Sequence, residues 1–350
     1  MSYFYLLSGP EETREVAALE LWALAGVEGA GACVAGPVAA DVTGAAYTRF
    51  CAELIAEGPD LEALVAATAA VAPRLDGFNI HVWRPAPRAS DNPLLAIRRL
   101  ADAISGPPNL DHPRHRLAVV AQADWWRLGR VVSAASMDWR AWTPPVDFSA
   151  ALPPQLARAL VNLVAAPGDT LLDPCCGVGT VVAQAARRGV RAVGVEISKK
   201  LAGRAAECVY GDRTGERPRP GGTGVSPVSP EPPTPARRRC HPETDRTGET
   251  PVPPGTDHPG TLIVAGDGRQ IGGHFDAAVV DLPYGRSSVI TPGLYRDLLG
   301  NLSGLVQRAA IVAAYPLEEL LPEAGFRLLR LARARSGGLV RHVHLVASAR

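Results

Sequence analysis

From Phe148 onward, short apolar runs alternate with stretches of helical period, and this alternation limits the fold more than any other feature of the chain. "DTLLDP" reads as a buried strand, "GTVVAQAARRG" as a helix stopped by glycine, "RAVGVEI" as a second strand and "SKKLAGRAAECVY" as a helix capped by Ser198. "TLIVAGD" and "FDAAVVDLP" follow as strands, then a helix over "GLYRDLLGNLSGLVQ" and a strand at "AAIVAAY". Strands joined through helices lie parallel, so this half is an α/β sheet. In the last stretch, "FRLLRLARARSGGLVRHVHLVASA", two apolar runs meet at Ser336, Gly337 and Gly338 with no helix between them. The sheet should therefore finish on a hairpin and an antiparallel edge.

One segment breaks the alternation. Gly211 to Gly260 is dominated by Pro, Gly, Thr, Ser and Arg, with almost no large apolar residue, and cannot offset the entropy of ordering itself. Residues 212–259 are expected to be a disordered insert, and "DRTGE", at Asp212 and again at Asp245, marks it as partly repetitive. Its cluster Ala236 to Cys240, "ARRRC", reads as a solvated charge run. The front of the chain has a different pattern. "SYFYLLSG" reads as a strand and "EETREVAALELWALAG" as an amphipathic helix with a glycine end, followed by short strands. "FNIHVWRP", "NPLLAIRRLADAIS" and "RLAVVAQ" then give strand, helix, strand. Three parts result: an α+β unit over 1–60, a second small unit over 61–146, and the α/β domain over 147–350.

Composition closes off several function classes. With 350 residues, 47% of them hydrophobic, the chain can bury more than one core, and a net charge of +1 supplies no global basic field for nucleic acid. The first 146 residues carry slightly more acid than base, so RNA binding would have to use a local patch. Six cysteines without a C-x-x-C pair fit a reducing compartment. No signal segment or membrane span is legible, and a cytoplasmic protein is expected. His112, His115, His342 and His344 have no metal-ligand spacing, and no metal is expected.

The chemistry gathers at strand ends. Asp173 closes the first strand of the α/β half, and "CCGVGT" leads from it into a helix. Gly177 and Gly179 would let a ligand approach backbone at a helix N-terminus. A dinucleotide fingerprint needs a third small residue where Val182 stands, which argues against that ligand. Glu196 closes the next strand, placed for ribose hydroxyls, Asp267 a third, where it could face an adenine edge, and Asp281 a fourth. Each acid alone reads as a cap or turn residue; four in succession line one sheet edge. Cys175 and Cys176 read as small buried residues. Trp125 and Trp126, beside Arg127 and Arg130, read either as core or as stacking and phosphate contacts.

"DPCCGVGT", "VGVEIS", "AGDGRQ" and "DLPYGRSS" resemble the successive motifs of S-adenosylmethionine-dependent methyltransferases that modify exocyclic amino groups. The resemblance implies that the cofactor is S-adenosyl-L-methionine, bound by Asp173, Pro174, Gly177, Gly179, Thr180, Glu196, Ile197, Asp267 and Gly268. It also implies that Asp281, Leu282, Pro283 and Tyr284 form the catalytic tetrapeptide. "FSAALPPQLARALVNLVAAPGDTLLDPCCGVGT", "LVRHVHLV" and "NLDHPRHRLAVV" narrow the resemblance to the THUMP-containing tRNA guanine-N2-methyltransferases, which modify guanosine at tRNA position ten. That family implies a Rossmann-like sheet, a ferredoxin-like unit over 1–60, a THUMP-like RNA-binding unit over 61–146 and tRNA as partner, and leaves open a small activator subunit. The tetrapeptide departs from many relatives by Leu282 in place of proline. Ribosomal RNA, DNA adenine or a protein glutamine remain alternative acceptors, and an inactive RNA-binding protein is the alternative outside enzymes.

The tetrapeptide suits this chemistry. A guanine N2 amine is a poor nucleophile because its lone pair is delocalised into the ring. The Asp281 carboxylate and the Leu282 carbonyl, aimed by the fixed ring of Pro283, can each accept one N–H and localise that pair. Tyr284 would stack on a flipped base.

Overall fold

The computed structural model describes residues 2–29, 31–85, 92–136, 151–211, 260–284, 293–336 and 338–350. The expected insert, 212–259, lies outside them, as do 285–292, which include the tail of "DLPYGRSS".

The front half forms one six-stranded sheet from β1 (Tyr3–Leu7), β2 (Cys33–Gly36), β3 (Thr48–Gly58), β4 (Phe78–Trp83), β5 (His115–Ala121) and β6 (Trp126–Ala134), in the order β2-β1-β3-β6-β5-β4. β4 and β5 are parallel and the remaining pairs antiparallel. The expected units 1–60 and 61–146 thus share a sheet, because β3 pairs with β6, from Gly58 with Trp126 to Phe50 with Ala134. β3 is 11 residues long, where short strands are expected from sequence. Local chemistry sets the helices. α1 (Arg14–Ala25) ends at Gly26, whose φ of 67° is left-handed. Asp60 caps α2 (Leu61–Val71) by accepting from the Ala63 amide, and Asn92 caps α3 (Pro93–Asp102) in front of a proline at its first position.

The back half is a mostly parallel, Rossmann-like α/β sheet with an antiparallel edge. Its strands are β7 (Thr170–Asp173), β8 (Arg191–Glu196), β9 (Leu262–Ala265), β10 (Phe275–Asp281), β11 (Val306–Ala313), β12 (Phe326–Ser336) and β13 (Leu339–Ser348), in the order β12-β13-β11-β10-β7-β8-β9. β7 to β11 run parallel, and the β12–β13 hairpin adds antiparallel to β11, as the final apolar runs suggest. Helices α4 (Pro154–Val164), α5 (Thr180–Arg187), α6 (Lys199–Tyr210) and α7 (Leu294–Leu302) connect or cover the strands. α7 is shorter than the apolar pattern suggests: the chain turns at Ser303 and Gly304, and β11 already begins at Val306.

The halves share a core. Tyr5, Val16 and Leu21 lie in one buried cluster with Leu156, Leu160 and Val182. A polar lock spans it. Fully buried Glu20 accepts from the Ala46 and Tyr47 amides, each at 2.7 Å, and from Asn162 Nδ2 at 2.7 Å. Asn162 and Arg158 both donate to the Gly44 carbonyl, at 3.0 and 3.1 Å. Burial pushes the Glu20 carboxyl up, and the amides oppose that shift. A satisfied network of this kind fixes one relative placement of the sheets. The described residues on either side of 212–259 meet away from the strand-end rim. Tyr210 Oη donates to the Thr261 carbonyl at 3.1 Å, and Gly260 packs by Arg191, the first residue of β8.

Candidate active site at the strand ends

The parallel register carries Asp173, Glu196, Asp267 and Asp281 to one rim. Leu172 pairs with Ala278 and Glu196 with Ala265, so each acid stands at or just past the carboxyl end of its strand. There the turns interlock. Gly177 and Gly179 hold φ of 55° and 81°, conformations that a side chain strains. A Cβ at Gly268 would lie 2.2 Å from the Pro174 carbonyl oxygen, so only glycine lets the first and third strand-end turns touch.

The four acids are not alike. Glu196 accepts from the Gly177 amide at 3.0 Å and the Ser198 amide at 2.8 Å, clamping the glycine turn to β8 with one oxygen on each side. Asp267 is spent locally: both its oxygens are held by Arg269, which keeps its carboxyl below the usual range. Asp173 is buried and accepts from the Cys175 amide at 3.2 Å; burial, then the Asp281 and Glu196 charges, push its pKa up to about 8 against the amide's pull. Asp281 is pushed up to about 7 by burial, with the Arg341 charge opposing. Its Oδ1 is sealed from solvent and has no hydrogen-bond partner among the described residues.

The tetrapeptide is held by its surroundings. Leu282 is fully buried and its amide donates to the Val312 carbonyl at 2.9 Å. Tyr295, on α7, donates its hydroxyl to the Pro283 carbonyl. No described group donates to the Leu282 carbonyl, so among the described residues the rim holds two acceptors without a donor, one carboxylate oxygen and one peptide oxygen. Arg341 on β13 approaches Tyr284 Oη at 3.5 Å. Neither Tyr295 nor Arg341 stands out in the sequence; the one available signal for Arg341 is an arginine inside the apolar run "LVRHVHLV".

These residues fit S-adenosylmethionine as cofactor. The left-handed glycines open the backbone, Glu196 retains lone pairs for ribose hydroxyls, and Ile197 is 72% exposed beside it as an apolar plate. The buried Thr180 hydroxyl lacks a partner among the described residues, and a rim of carboxyls suits a cationic donor. The Cys175 and Cys176 thiols are pushed up by burial first and the acids next, which leaves them protonated packing groups.

The front sheet behaves differently. Trp126 is core, while Trp125 donates Nε1 to Glu57 at 3.0 Å. Arg127 pairs with the same Glu57 and Arg130 with Glu53. His344 accepts from the Leu317 amide through Nε2 and meets the Ile311 carbonyl through Nδ1, both at 3.2 Å, a structural role.

Residues 121–207 match a family model described as DNA methylase. A tRNA (guanine(10)-N2)-dimethyltransferase from Methanothermobacter thermautotrophicus is 40% identical over 58 residues, 16% of this chain and 17% of that protein. Among solved structures, TrmN from Thermus thermophilus is similar at a TM-score of 0.49 and 18% identity, over 99% of this chain and 100% of that one. A magnesium protoporphyrin IX methyltransferase from Synechocystis PCC 6803, with bound SAM, is similar over 52% of this chain and 71% of that one, at a TM-score of 0.35 and 16% identity. No described helix is long and apolar enough to cross a membrane.

Proposed function

We propose that the chain is an S-adenosylmethionine-dependent methyltransferase acting on the exocyclic N2 amine of a guanosine in tRNA, at position ten. The observation that carries this reading is the pair of acceptors at one strand end to which no described group donates, Asp281 Oδ1 and the Leu282 carbonyl. A primary amine on an aromatic ring has two N–H donors, and two fixed acceptors on one side of it leave the lone pair facing the other. When bound, the cofactor supplies an electrophilic methyl group on its sulfonium. Asp281 and Leu282 hold the amine, Pro283 sets the carbonyl direction with Tyr295 anchoring the turn, and Tyr284 covers the base. Asp173, Pro174, Gly177, Gly179, Thr180, Glu196, Ile197 and Gly268 hold the donor; Asp267, spent on Arg269, serves chiefly to cap its turn. The methylated nitrogen is a strong acid and loses its proton without a strong base, so a carboxylate ionising near neutrality suffices. Fixing two reactants in line can supply roughly 7–11 kcal/mol of such a barrier.

The short stretch shared with the guanine(10)-N2-dimethyltransferase supports guanosine in tRNA as acceptor. On the same reading, residues 1–60 are a ferredoxin-like unit, 61–146 a THUMP-like RNA-binding unit and 147–350 the methyltransferase domain, working in the cytoplasm, with or without an activator subunit. A second reading, methylation of an amine in DNA, is favoured by the family model that matches residues 121–207. Nucleoside mass spectrometry separates the two. After incubation with labelled donor, tRNA should yield labelled N2-methylguanosine with wild type and none with Asp281→Ala. Labelled N6-methyladenosine, or transfer to DNA alone, would overturn the tRNA reading.

A further inference from the structure

Arg341 is a buried charged group, among the described residues, that the proposed reaction does not use. It lies on β13, where His342 pairs with Ala313, the last residue of β11, so Arg341 stands at the rim beside Asp281 and Tyr284. The residue is 6% exposed, and its Nε is buried without a hydrogen-bond partner among the described residues. An arginine cannot shed its charge, so an unmatched buried N–H is costly unless something else meets it. Tyr284 Oη, at 3.5 Å, is its hydrogen-bond partner among the described residues, at the outer limit of such a bond. Asp281 faces it electrostatically, yet no ion pair closes between them. A buried donor and a buried acceptor thus lie within electrostatic reach of one another, each without a hydrogen-bond partner among the described residues. A planar group that offers a donor N–H to one and an acceptor atom to the other satisfies both.

We infer that Arg341 is a substrate-recognition residue that donates to the acceptor atom adjoining the methylated amine, which on guanine is ring nitrogen N3. This rests on the guanine N2 reading. Guanine carries N2–H and N3 on adjacent atoms, an edge with the polarity that Asp281 and Arg341 require. The arrangement also explains an arginine on a buried strand whose other inward residues, such as Val343 and Leu345, are apolar.

The test combines one substitution with one atom change. tRNA assembled with guanosine or with 3-deazaguanosine at the methylated position is given to wild type and to Arg341→Met, and single-turnover rates are measured with the donor saturating. Wild type should lose roughly 10- to 150-fold on the 3-deaza tRNA, the worth of a hydrogen bond to a charged group. Arg341→Met should lose a similar factor on guanosine and little more on 3-deazaguanosine, with donor affinity unchanged. If 3-deaza replacement costs the variant as much as wild type, or if donor affinity falls with the arginine, the inference is overturned. Arg341→Lys, which keeps the charge and most of the packing, gives the same comparison should the methionine variant melt early. Wild type that methylates no guanosine would overturn the reading beneath it instead.

Discussion

The rim of the α/β sheet and the open face of the six-stranded sheet carry comparable polar side chains and use them in opposite ways. On the front sheet Arg127, Arg130 and Trp125 are met by Glu57 and Glu53 at or near the surface. On the rim Asp281, Arg341 and Thr180 hold buried atoms unmatched among the described residues. The front sheet has such atoms as well, at Thr48 on β3 and Asn79 on β4, but there on separate strands, whereas Asp281 and Arg341 are electrostatic neighbours. Exposed ion pairs contribute little and cost little, whereas an unmatched buried polar atom is costly until something completes it. The difference teaches that the grouping of unmatched donor and acceptor, more than residue type, marks the candidate site.

The largest effect should come from Asp281→Asn, which replaces an oxygen acceptor without changing shape. Methyl transfer should fall roughly 100- to 1000-fold, as for loss of one preorganised polar group in an active site, while donor affinity measured by calorimetry holds. Equal rates would erase the contrast between rim and sheet.

The rate should also depend on pH through the same group. Asp281 must be ionised to accept from the amine, and its carboxyl is raised to about 7, so activity rises with pH up to that point, by about tenfold per unit below it. Burial raises this group and the Arg341 charge opposes it, while Asp173 and Tyr295 lie within electrostatic reach. Stability runs the other way. Because the folded Asp173 and Asp281 bind protons more tightly than the unfolded chain, their contribution to stability is fullest below the ordinary carboxyl range and is lost as pH rises through about 7 and 8. Asp173→Asn should flatten that fall in a melting series; an unchanged slope would count against the burial of this pair.

Gly268→Ala sharpens the comparison at the donor's end of the rim. Its Cβ would meet the Pro174 carbonyl at 2.2 Å and push two turns apart, so donor affinity should drop by about tenfold, or about 1.4 kcal/mol, in calorimetry. Removing Gly215 to Asp257 should do much less. The flanking Tyr210 and Thr261 already meet away from the strand-end rim, and loop length enters closure entropy only logarithmically, so activity should stay within about twofold. The smallest effect belongs to the front sheet. Arg127→Gln combined with Arg130→Gln should change tRNA affinity less than about fivefold, because those guanidinium groups are engaged by glutamates and exposed pairs are worth at most about 1 kcal/mol. A larger loss would make this face the RNA surface after all.

Much of the back half is legible in the sequence because its signals are local. Apolar runs mark β7, β8 and β10, Ser198 marks the start of α6, and the glycines near 338 mark the closing hairpin. The four strand-end acids follow from the same alternation. Whether each acid is spent is only partly legible: Arg269, two residues on, holds Asp267, but the Gly177 amide that Glu196 clamps and the Arg341 charge near Asp281 come from distant segments. The shared front sheet is hidden for a related reason, as the β3–β6 pairing joins segments that no local pattern connects. The end of α7 is misread because Leu302, Leu305 and Val306 keep the apolar spacing of a helix through a turn.

The most direct measurement is infrared difference spectroscopy of the Asp281 carboxyl, wild type minus Asp281→Asn, as a function of pH with and without the methyl donor. The account predicts a protonated carbonyl band that disappears near pH 7 in the free protein and at lower pH once the cationic donor is bound. A carboxylate already ionised near pH 4, and indifferent to the donor, would contradict it.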